Sequence, residues 1–397
     1  MTNLLLRNVR PYGGGNSDVR IRDGRIDGIG RFEPDPGMPV EDGRGAIAIP
    51  GFIDAHTHLD KTTWGMPWHE NNRRAVLRER IDFERENRIA IGIDPHRQSM
   101  RHAIGLAAHG ATHIRSHVDI DPVHGLSIVV GVMETREKLN GIIDIEIVAF
   151  PQSGVMVIPG TAELLDEALR QGCEVLGGID PCGIDRDPKG QLDVLFALAV
   201  KHQKPIDIHL HEAGDLGAFT MELMFERIRA NGMQGKVAIS HAFALGMNDY
   251  LRVGQLIEQI AELDVAIVTT GAPSATVPSI MRLKEAGVRV GAGCDGIRDT
   301  WGPWGQPDML DRAKVVGMKN GLRSDHELEH VLNIVSQGGA DVMRIEGYGL
   351  AEGCNADLTL LAGETLAHAV VDVAPRPLVV KGGRVIARDG QAVVDMP

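Results

Sequence analysis

The sequence predicts an α/β protein with a (β/α)8, TIM-like barrel and a small β-sandwich domain built from both chain termini. Three observations lead to this prediction. Short apolar runs alternate with amphipathic helical stretches between about residues 46 and 350. Eight of these runs have strand length, which is the number that this barrel needs. The two ends of the chain instead carry short strands broken by glycine and aspartate.

The predicted strands of the terminal domain alternate polar with apolar residues between turn residues, as antiparallel sheets do. They are Leu4–Val9, Asp18–Ile21, Gly24–Gly30, Asp357–Leu361 and Leu378–Ala387. Neither end alone has enough strands for a stable core. We therefore expect one composite domain from residues 1–48 and 352–397, with the barrel between them at residues 49–351.

The predicted barrel strands are Ala46–Ile53, Thr112–Val118, Ile143–Phe150, Glu174–Ile179, Pro205–His209, Lys236–Ser240, Val265–Thr269 and Val288–Ala292. Helix signals lie between them. Asp94-Pro95 opens a helix that runs towards Gly110, and Thr161 opens another that stops before Gly172. An open doubly wound sheet is the alternative fold, but no GxGxxG motif follows the first strand to support it.

Composition excludes several functional classes. Of the 397 residues, 43% are hydrophobic and 24% charged, which is typical of a folded globular protein. The net charge of -13 and the lack of a basic run argue against binding of a nucleic-acid polymer. No apolar stretch approaches the roughly 20 residues of a membrane helix, and no signal peptide is recognisable, so we expect a cytoplasmic protein that does not bind membranes. The four cysteines form no CxxC pair, so they predict reduced thiols.

Metal-ligating residue types follow four of the predicted barrel strands. His56 and His58 are two residues apart in a strand, so their side chains point to the same side and can bind one ion. Later strands end in His209-Leu210-His211-Glu212, in Ser240-His241 and in Cys294-Asp295. Singly, each could be a hydrogen-bonded core histidine or a helix-capping acid. Together they lie at the barrel end that carries active sites, which predicts a metal centre.

These motifs resemble the amidohydrolase superfamily, and the resemblance covers essentially the whole chain. Within the superfamily the chain is most similar to the cytosine deaminase branch, including the related N-isopropylammelide amidohydrolases. The segments that carry the resemblance are Asp54–Lys61, Ser116–Asp119, Val148–Gly154, Gly177–Pro181, Asp207–Glu212, Ser240–His241 and Asp295–Trp301.

The resemblance implies that one divalent metal ion is bound by three imidazoles and a carboxylate. The implied ligands are His56, His58, His209 and Asp295, a set that suits zinc or ferrous iron. Binuclear members of the superfamily use a bridging lysine at the end of the fourth strand. This chain has Gly178–Cys182 there, so a single ion is expected.

The resemblance also implies hydrolytic deamination of a heterocycle, which yields a ring carbonyl and ammonia. Glu212 corresponds to the general acid/base, and His241 to the residue that hydrogen-bonds the developing tetrahedral oxygen. Asp295 would pass a proton to the departing amine. Gln152 corresponds to a substrate-binding amide, which offers a donor and an acceptor side by side, and Trp301 to an aromatic wall for a planar ring.

Four further residues at strand ends are expected to orient the metal ligands rather than to bind the ion. They are His117, Asp119, Asp180 and His211. Strand alternation places His211 on the same side as His209, which keeps it open as a substitute ligand.

One departure from the cytosine deaminase pattern bears on the substrate. Those enzymes carry a second acid directly after the ligand aspartate, where this chain has Gly296. A missing side chain predicts space for a 5-substituted cytosine or for a larger ring such as a pterin. The alternatives are an N-alkyl aminotriazine amidohydrolase and a ring-opening cyclic amidohydrolase. The predicted partner is a small heterocyclic molecule, and the resemblance implies a homo-oligomer.

Overall fold

The structure is a computed structural model that describes residues 2–72 and 74–393. Two sheets dominate it: a nine-stranded sheet from the chain ends and an eight-stranded parallel sheet that closes into a barrel. The predicted fold class is confirmed. The N-terminal strands of the first sheet are β1 (Leu4–Pro11), β2 (Ser17–Arg22), β3 (Arg25–Gly30), β4 (Val40–Asp42) and β5 (Ile47–Pro50).

The barrel strands run parallel to their neighbours in chain order. They are β6 (Phe52–Thr57), β7 (Ala111–Asp119), β8 (Asp144–Phe150), β9 (Val175–Ile179), β10 (Ile206–His209), β11 (Val237–Ser240), β12 (Ala266–Thr269) and β13 (Val290–Ala292). A parallel bridge between Thr57 and Asp295 brings the last strand back to the first. The strands β7 to β13 begin and end within two residues of their predicted bounds.

Helices connect the strands and cover the outside of the barrel. They are α1 (Leu77–Ile91), α2 (Pro95–Ala108), α3 (Ser127–Lys138), α4 (Thr161–Gln171), α5 (Pro188–His202), α6 (Gly214–Asn231), α7 (Tyr250–Glu262), α8 (Ile280–Glu285), α9 (Met309–Lys319), α10 (Asp325–Ile334), α11 (Gln337–Met343) and α12 (Leu366–Asp372). Asp94 caps α2 as predicted, because its carboxylate accepts from the Arg97 amide at 2.7 Å. In the described residues, none of these helices combines the length and the apolar character that crossing a membrane requires.

The C-terminal strands complete the first sheet. They are β14 (Leu358–Leu361), β15 (Leu378–Lys381), β16 (Arg384–Arg388) and β17 (Gln391–Ala392). The strand order is β17-β16-β15-β14-β5-β1-β2-β3, with β4 paired to β1, and β14 joins the two ends by running antiparallel to β5. Leu6, Val19, Leu358 and Val380 share one buried cluster, so both ends contribute to the same apolar core.

The predicted first barrel strand, Ala46–Ile53, is wrong as a single element. The structure divides it at Gly51 into β5, which pairs within the terminal sheet, and β6, which pairs within the barrel. The Gly51 amide donates to the carbonyl of Asp357 at 2.9 Å. A Cβ atom on Gly51 would lie only 2.3 Å from the side chain of buried Thr112. The chain therefore changes sheets where no side chain fits.

Replacing Gly51 with alanine is expected to lower the free energy of unfolding by about 1 to 3 kcal/mol, because Thr112 has no room to move away from the added methyl group. Urea unfolding followed by circular dichroism measures this change. Gly15→Ala is the matched control, since nothing lies within 4 Å of a Cβ atom at Gly15. Equal stability of the two variants would contradict the close packing at Gly51.

Candidate active site

The four predicted metal ligands converge at the carboxyl end of the barrel. The Nε2 atom of His58 lies 3.4 Å from His209 Nε2 and 3.4 Å from an oxygen of Asp295. His56 Nε2 lies 3.7 Å from the same oxygen. A tetrahedral ion with bonds of about 2.1 Å separates its ligand atoms by about 3.4 Å. The spacing of these side chains therefore fits a single divalent ion.

The hydrogen bonds behind two of these histidines set their tautomers. His58 Nδ1 lies 3.1 Å from the carbonyl oxygen of His117, which can only accept. His56 Nδ1 lies 2.9 Å from the hydroxyl of Ser240, which in turn donates to Asp207 at 2.6 Å. Both Nδ1 atoms are therefore donors. Each ring then presents the lone pair of Nε2 to the centre, as a metal ligand must.

The charges at the centre also suit a cation. Burial, followed by the charge of Lys61, holds the pKa of His58 well below its usual value, although Asp295 opposes this shift. Burial and the surrounding histidines do the same for the pKa of His209. Burial opposes ionisation of Asp295, but the histidines around it hold its pKa well below the usual range. The imidazoles of His58 and His209 are therefore neutral, and the neighbouring carboxylate of Asp295 is ionised.

Two of the predicted site residues have left-handed backbone conformations. The φ angle is 68° at His241 and 61° at Asp295. The Asp295 amide donates to the carbonyl of His56 at 2.9 Å, and the His241 amide donates to Val268 at 2.8 Å. Such non-glycine residues are uncommon and cluster at functional sites. The surrounding hydrogen bonds hold both side chains at the barrel mouth.

A cavity of about 400 Å³ opens above these ligands. The predicted residues Gln152, His241 and Trp301 line it, together with His58, His209 and Asp295. Phe150 forms another part of the wall and stacks on His209, with the ring centroids 4.1 Å apart. The cavity therefore combines flat aromatic surfaces with polar groups next to the predicted ligands, which suits a planar heterocycle.

A buried cluster of charges stands behind Gln152. Lys61 lies 3.2 Å from Asp119 and 3.6 Å from Glu84, and its ammonium group donates to the Gln152 carbonyl oxygen. The Gln152 amide nitrogen lies 3.3 Å from Asp119 and 3.4 Å from Glu84. Arg88 adds a second cation, 3.7 Å from Asp119. These hydrogen bonds fix the orientation of the Gln152 amide. Lys61 itself also lines the cavity.

His211 lies on the same side as His209, as strand alternation predicts, whereas the Glu212 carboxylate contacts a neighbouring loop. His211 lines the cavity, and its Nδ1 lies 2.7 Å from a carboxylate oxygen of Asp180. The Glu212 carboxylate instead accepts from the backbone amides of Cys182 and Gly183, both at 2.8 Å, and from the hydroxyl of Thr220. Glu212 is not among the cavity residues. The structure thus places the carboxylate of the predicted acid/base against the loop after β9.

Gly296 does not widen the cavity as predicted. A Cβ atom at this position would lie 1.9 Å from a carboxylate oxygen of Asp299, so the space is already filled. Asp299, and not Gly296, lines the cavity. Its other oxygen accepts from the amides of Trp301 and Gly302 at 2.8 and 3.0 Å. The loop thus supplies a carboxylate where position 296 lacks one.

Sequence reasoning did not single out three charged residues of the cavity wall, Lys61, Arg80 and Asp299. Lys61 and Asp299 stand within the motif segments, four or fewer residues from a predicted ligand, so proximity to His58 and Asp295 was an available signal. Arg80 also lines the cavity, but it lies on α1 and no spacing relates it to a strand end. Arg80 reaches the cavity only because the long connection after β6, which contains α1, folds back over the barrel.

Comparison with known proteins supports the geometric description. The sequence profile of the amidohydrolase family matches residues 40–387, most of the chain. The chain belongs to the amidohydrolase family. It is therefore an enzyme of a metal-dependent superfamily of hydrolases, and the predicted family is confirmed.

Three relatives illustrate the similarity. The crystal structure of N-isopropylammelide isopropylaminohydrolase from Burkholderia multivorans has 46% sequence identity and a TM-score of 0.96, covering 99% of this chain and 100% of the other. N-isopropylammelide isopropyl amidohydrolase from a Pseudomonas strain is 31% identical over 88% of both chains. The structure of 5-methylcytosine deaminase from Klebsiella pneumoniae has 27% identity and a TM-score of 0.85, covering 98% of each chain.

Proposed function

We propose that this protein hydrolyses the bond between a ring carbon and an exocyclic amine in an oxo-substituted, six-membered N-heterocycle. The observation that carries the proposal is the grouping of three imidazoles with a nearby carboxylate, of which His58, His209 and Asp295 line an aromatic-walled cavity. We propose that His56, His58, His209 and Asp295 hold one zinc or ferrous ion. An ion bound there would lower the pKa of a water molecule to about 7 and so supply a nucleophile at neutral pH.

The arrangement of His211 supports a role in proton transfer. Its Nδ1 is held by Asp180, so the opposite ring nitrogen is available to the cavity. A carboxylate that orients an imidazole in this way is the arrangement that general bases use in other hydrolases. We assign proton transfer to His211, oriented by Asp180. Glu212, whose oxygens accept three hydrogen bonds, then positions the loop after β9 instead.

The other polar groups of the cavity complete the proposal. His241 has both ring nitrogens buried without a hydrogen-bond partner in the described residues, so it is free to bind the developing tetrahedral oxygen. The Lys61 ammonium lies 5.6 Å from the ring of Trp301 and offers a positive charge to oxo groups of the substrate. Gln152 and Asp299 add hydrogen-bonding groups at the same wall.

Among heterocycles, an N-substituted aminotriazine is the substrate that we favour. The relative with 46% identity acts on N-isopropylammelide, and it is similar over essentially the whole chain. The expected extra space at Gly296 for a pterin or a 5-substituted cytosine is occupied by Asp299. A homo-oligomeric state stays a prediction from the family resemblance.

The proposal is tested by incubating zinc-loaded and iron-loaded protein with a panel of heterocycles. The panel contains N-isopropylammelide, cytosine, 5-methylcytosine, pterin and hydantoin, and the release of ammonia or alkylamine is measured. We expect alkylamine release from N-isopropylammelide, the triazine of the panel, and we expect this release to cease on chelation. Turnover of hydantoin without any amine release would contradict the proposal and favour a ring-opening hydrolase.

A further inference from the structure

A second chamber of about 220 Å³ adjoins the active-site cavity. Arg80 and Trp301 line both spaces, so the chamber begins where the cavity wall ends. Asn72, Arg74 and Thr300 form other parts of its lining. Among the described residues, none of those that line the chamber is acidic, although the chain as a whole carries a net charge of -13.

Two residues that line both spaces, Arg80 and Trp301, keep donor groups without a partner in the described part of the protein. Arg80 donates from Nε to the carbonyl of Arg74 at 2.7 Å, which fixes its guanidinium. In the described residues, its two terminal nitrogens have no acceptor and form no ion pair with a carboxylate. The indole nitrogen of Trp301 is buried and also has no acceptor in the described residues. A buried donor without a partner, such as this indole nitrogen, is uncommon in native structures, whereas the partly buried Arg80 guanidinium can reach solvent or a ligand.

Arg74 contributes a further charge but is held in place. Its guanidinium lies 3.3 Å from the centroid of the Phe83 ring, and it donates to the carbonyl of Asn72 at 3.2 Å. The chamber therefore presents one fixed cation and one guanidinium with two free donor nitrogens. A planar guanidinium with free terminal nitrogens matches a carboxylate, which can accept both hydrogen bonds.

We propose that this chamber binds a carboxylate carried on a short arm of the substrate's exocyclic nitrogen, with Arg80 as its specificity-determining residue. The inference rests on the proposed function, in which that nitrogen leaves with its substituent. Water adds to the ring carbon and the bond from that carbon to the exocyclic nitrogen breaks. One proton of the water passes to the departing nitrogen, and the other stays on a ring nitrogen beside the new carbonyl group. The products are the ring carbonyl and a free amino acid.

The test compares two dioxo-triazines that differ only in the arm, N-carboxymethylamino and its neutral N-carbamoylmethylamino isostere. Calorimetry on metal-free protein gives the dissociation constant of each without turnover. We expect the acid to bind about 10- to 100-fold more tightly than the amide, as a charge-assisted pair predicts. Arg80→Gln should reduce this ratio to near unity, and Arg80→Lys should retain part of it.

Arg78→Gln is the matched control, because Arg78 lies on the same helix but does not line either space. The Arg78→Gln variant should show the same preference for the acid over the amide as the unsubstituted protein. No preference for the acid, or an equal loss for both compounds in Arg80→Gln, would overturn the proposal. Stimulation of amide turnover by free acetate would overturn it too, because the chamber would then take a separate anion. Failure of every amine substrate would instead contradict the proposed function, and the binding ratio would still decide the role of the chamber.

Discussion

Replacing His209 with alanine is expected to abolish hydrolysis and to deprive the protein of its divalent ion. His209 Nε2 lies 3.4 Å from His58 Nε2, and its ring packs on Phe150 within the buried centre. Without it, the remaining side chains leave one corner of the proposed tetrahedral site open. A metal ion contributes several kcal/mol to the transition state, so its loss should lower kcat by at least about a thousandfold.

The experiment measures metal content by mass spectrometry after dialysis, and amine release with the substrate found in the panel. His330→Ala is the control, because His330 lies on α10 beside the start of β13, at the opposite end of that strand from Asp295. The control should retain both metal and activity. Full metal occupancy in folded His209→Ala protein would show that the ligand set has been assigned incorrectly.

Much of the fold was predictable because local patterns determine it. Alternating apolar runs and helices located β7 to β13 within two residues of their bounds. The rule that parallel barrel strands bring their carboxyl ends together predicted that the histidines and the aspartate at the strand ends would converge. The family resemblance selected His56, His58, His209 and Asp295 among them as the expected ligands.

The errors arise where a contact between distant segments decides the outcome. Nothing in the apolar run Ala46–Ile53 shows that Thr112 lies against Gly51 and that the chain changes sheets there. The fold of one loop places Asp299 into the space beside Gly296. The absence of a side chain at Gly296 therefore predicted open space, but the carboxylate of Asp299 occupies that space in the structure.

A contact between distant segments also affects Glu212, which follows His211 just after β10. Strand alternation predicts the side on which His211 lies, but it does not show which groups bind the Glu212 carboxylate, and the acid/base role of Glu212 stays a prediction. The amides of Cys182 and Gly183, on the loop after the neighbouring strand β9, bind the Glu212 carboxylate. His211 then remains on the cavity wall, held by Asp180.

Exchange of His211 for alanine should therefore lower kcat by about 10²- to 10⁴-fold, the usual contribution of a general acid or base, while metal stays bound. Glu212→Gln should cost only about tenfold, because the amide oxygen can still accept from the backbone of Cys182 and Gly183. Steady-state kinetics and metal analysis on both variants separate the two roles. Added imidazole should restore part of the activity of His211→Ala, which a merely structural defect would not permit. If Glu212→Gln is inactive while His211→Ala is not, proton transfer belongs to Glu212, as the family resemblance implied.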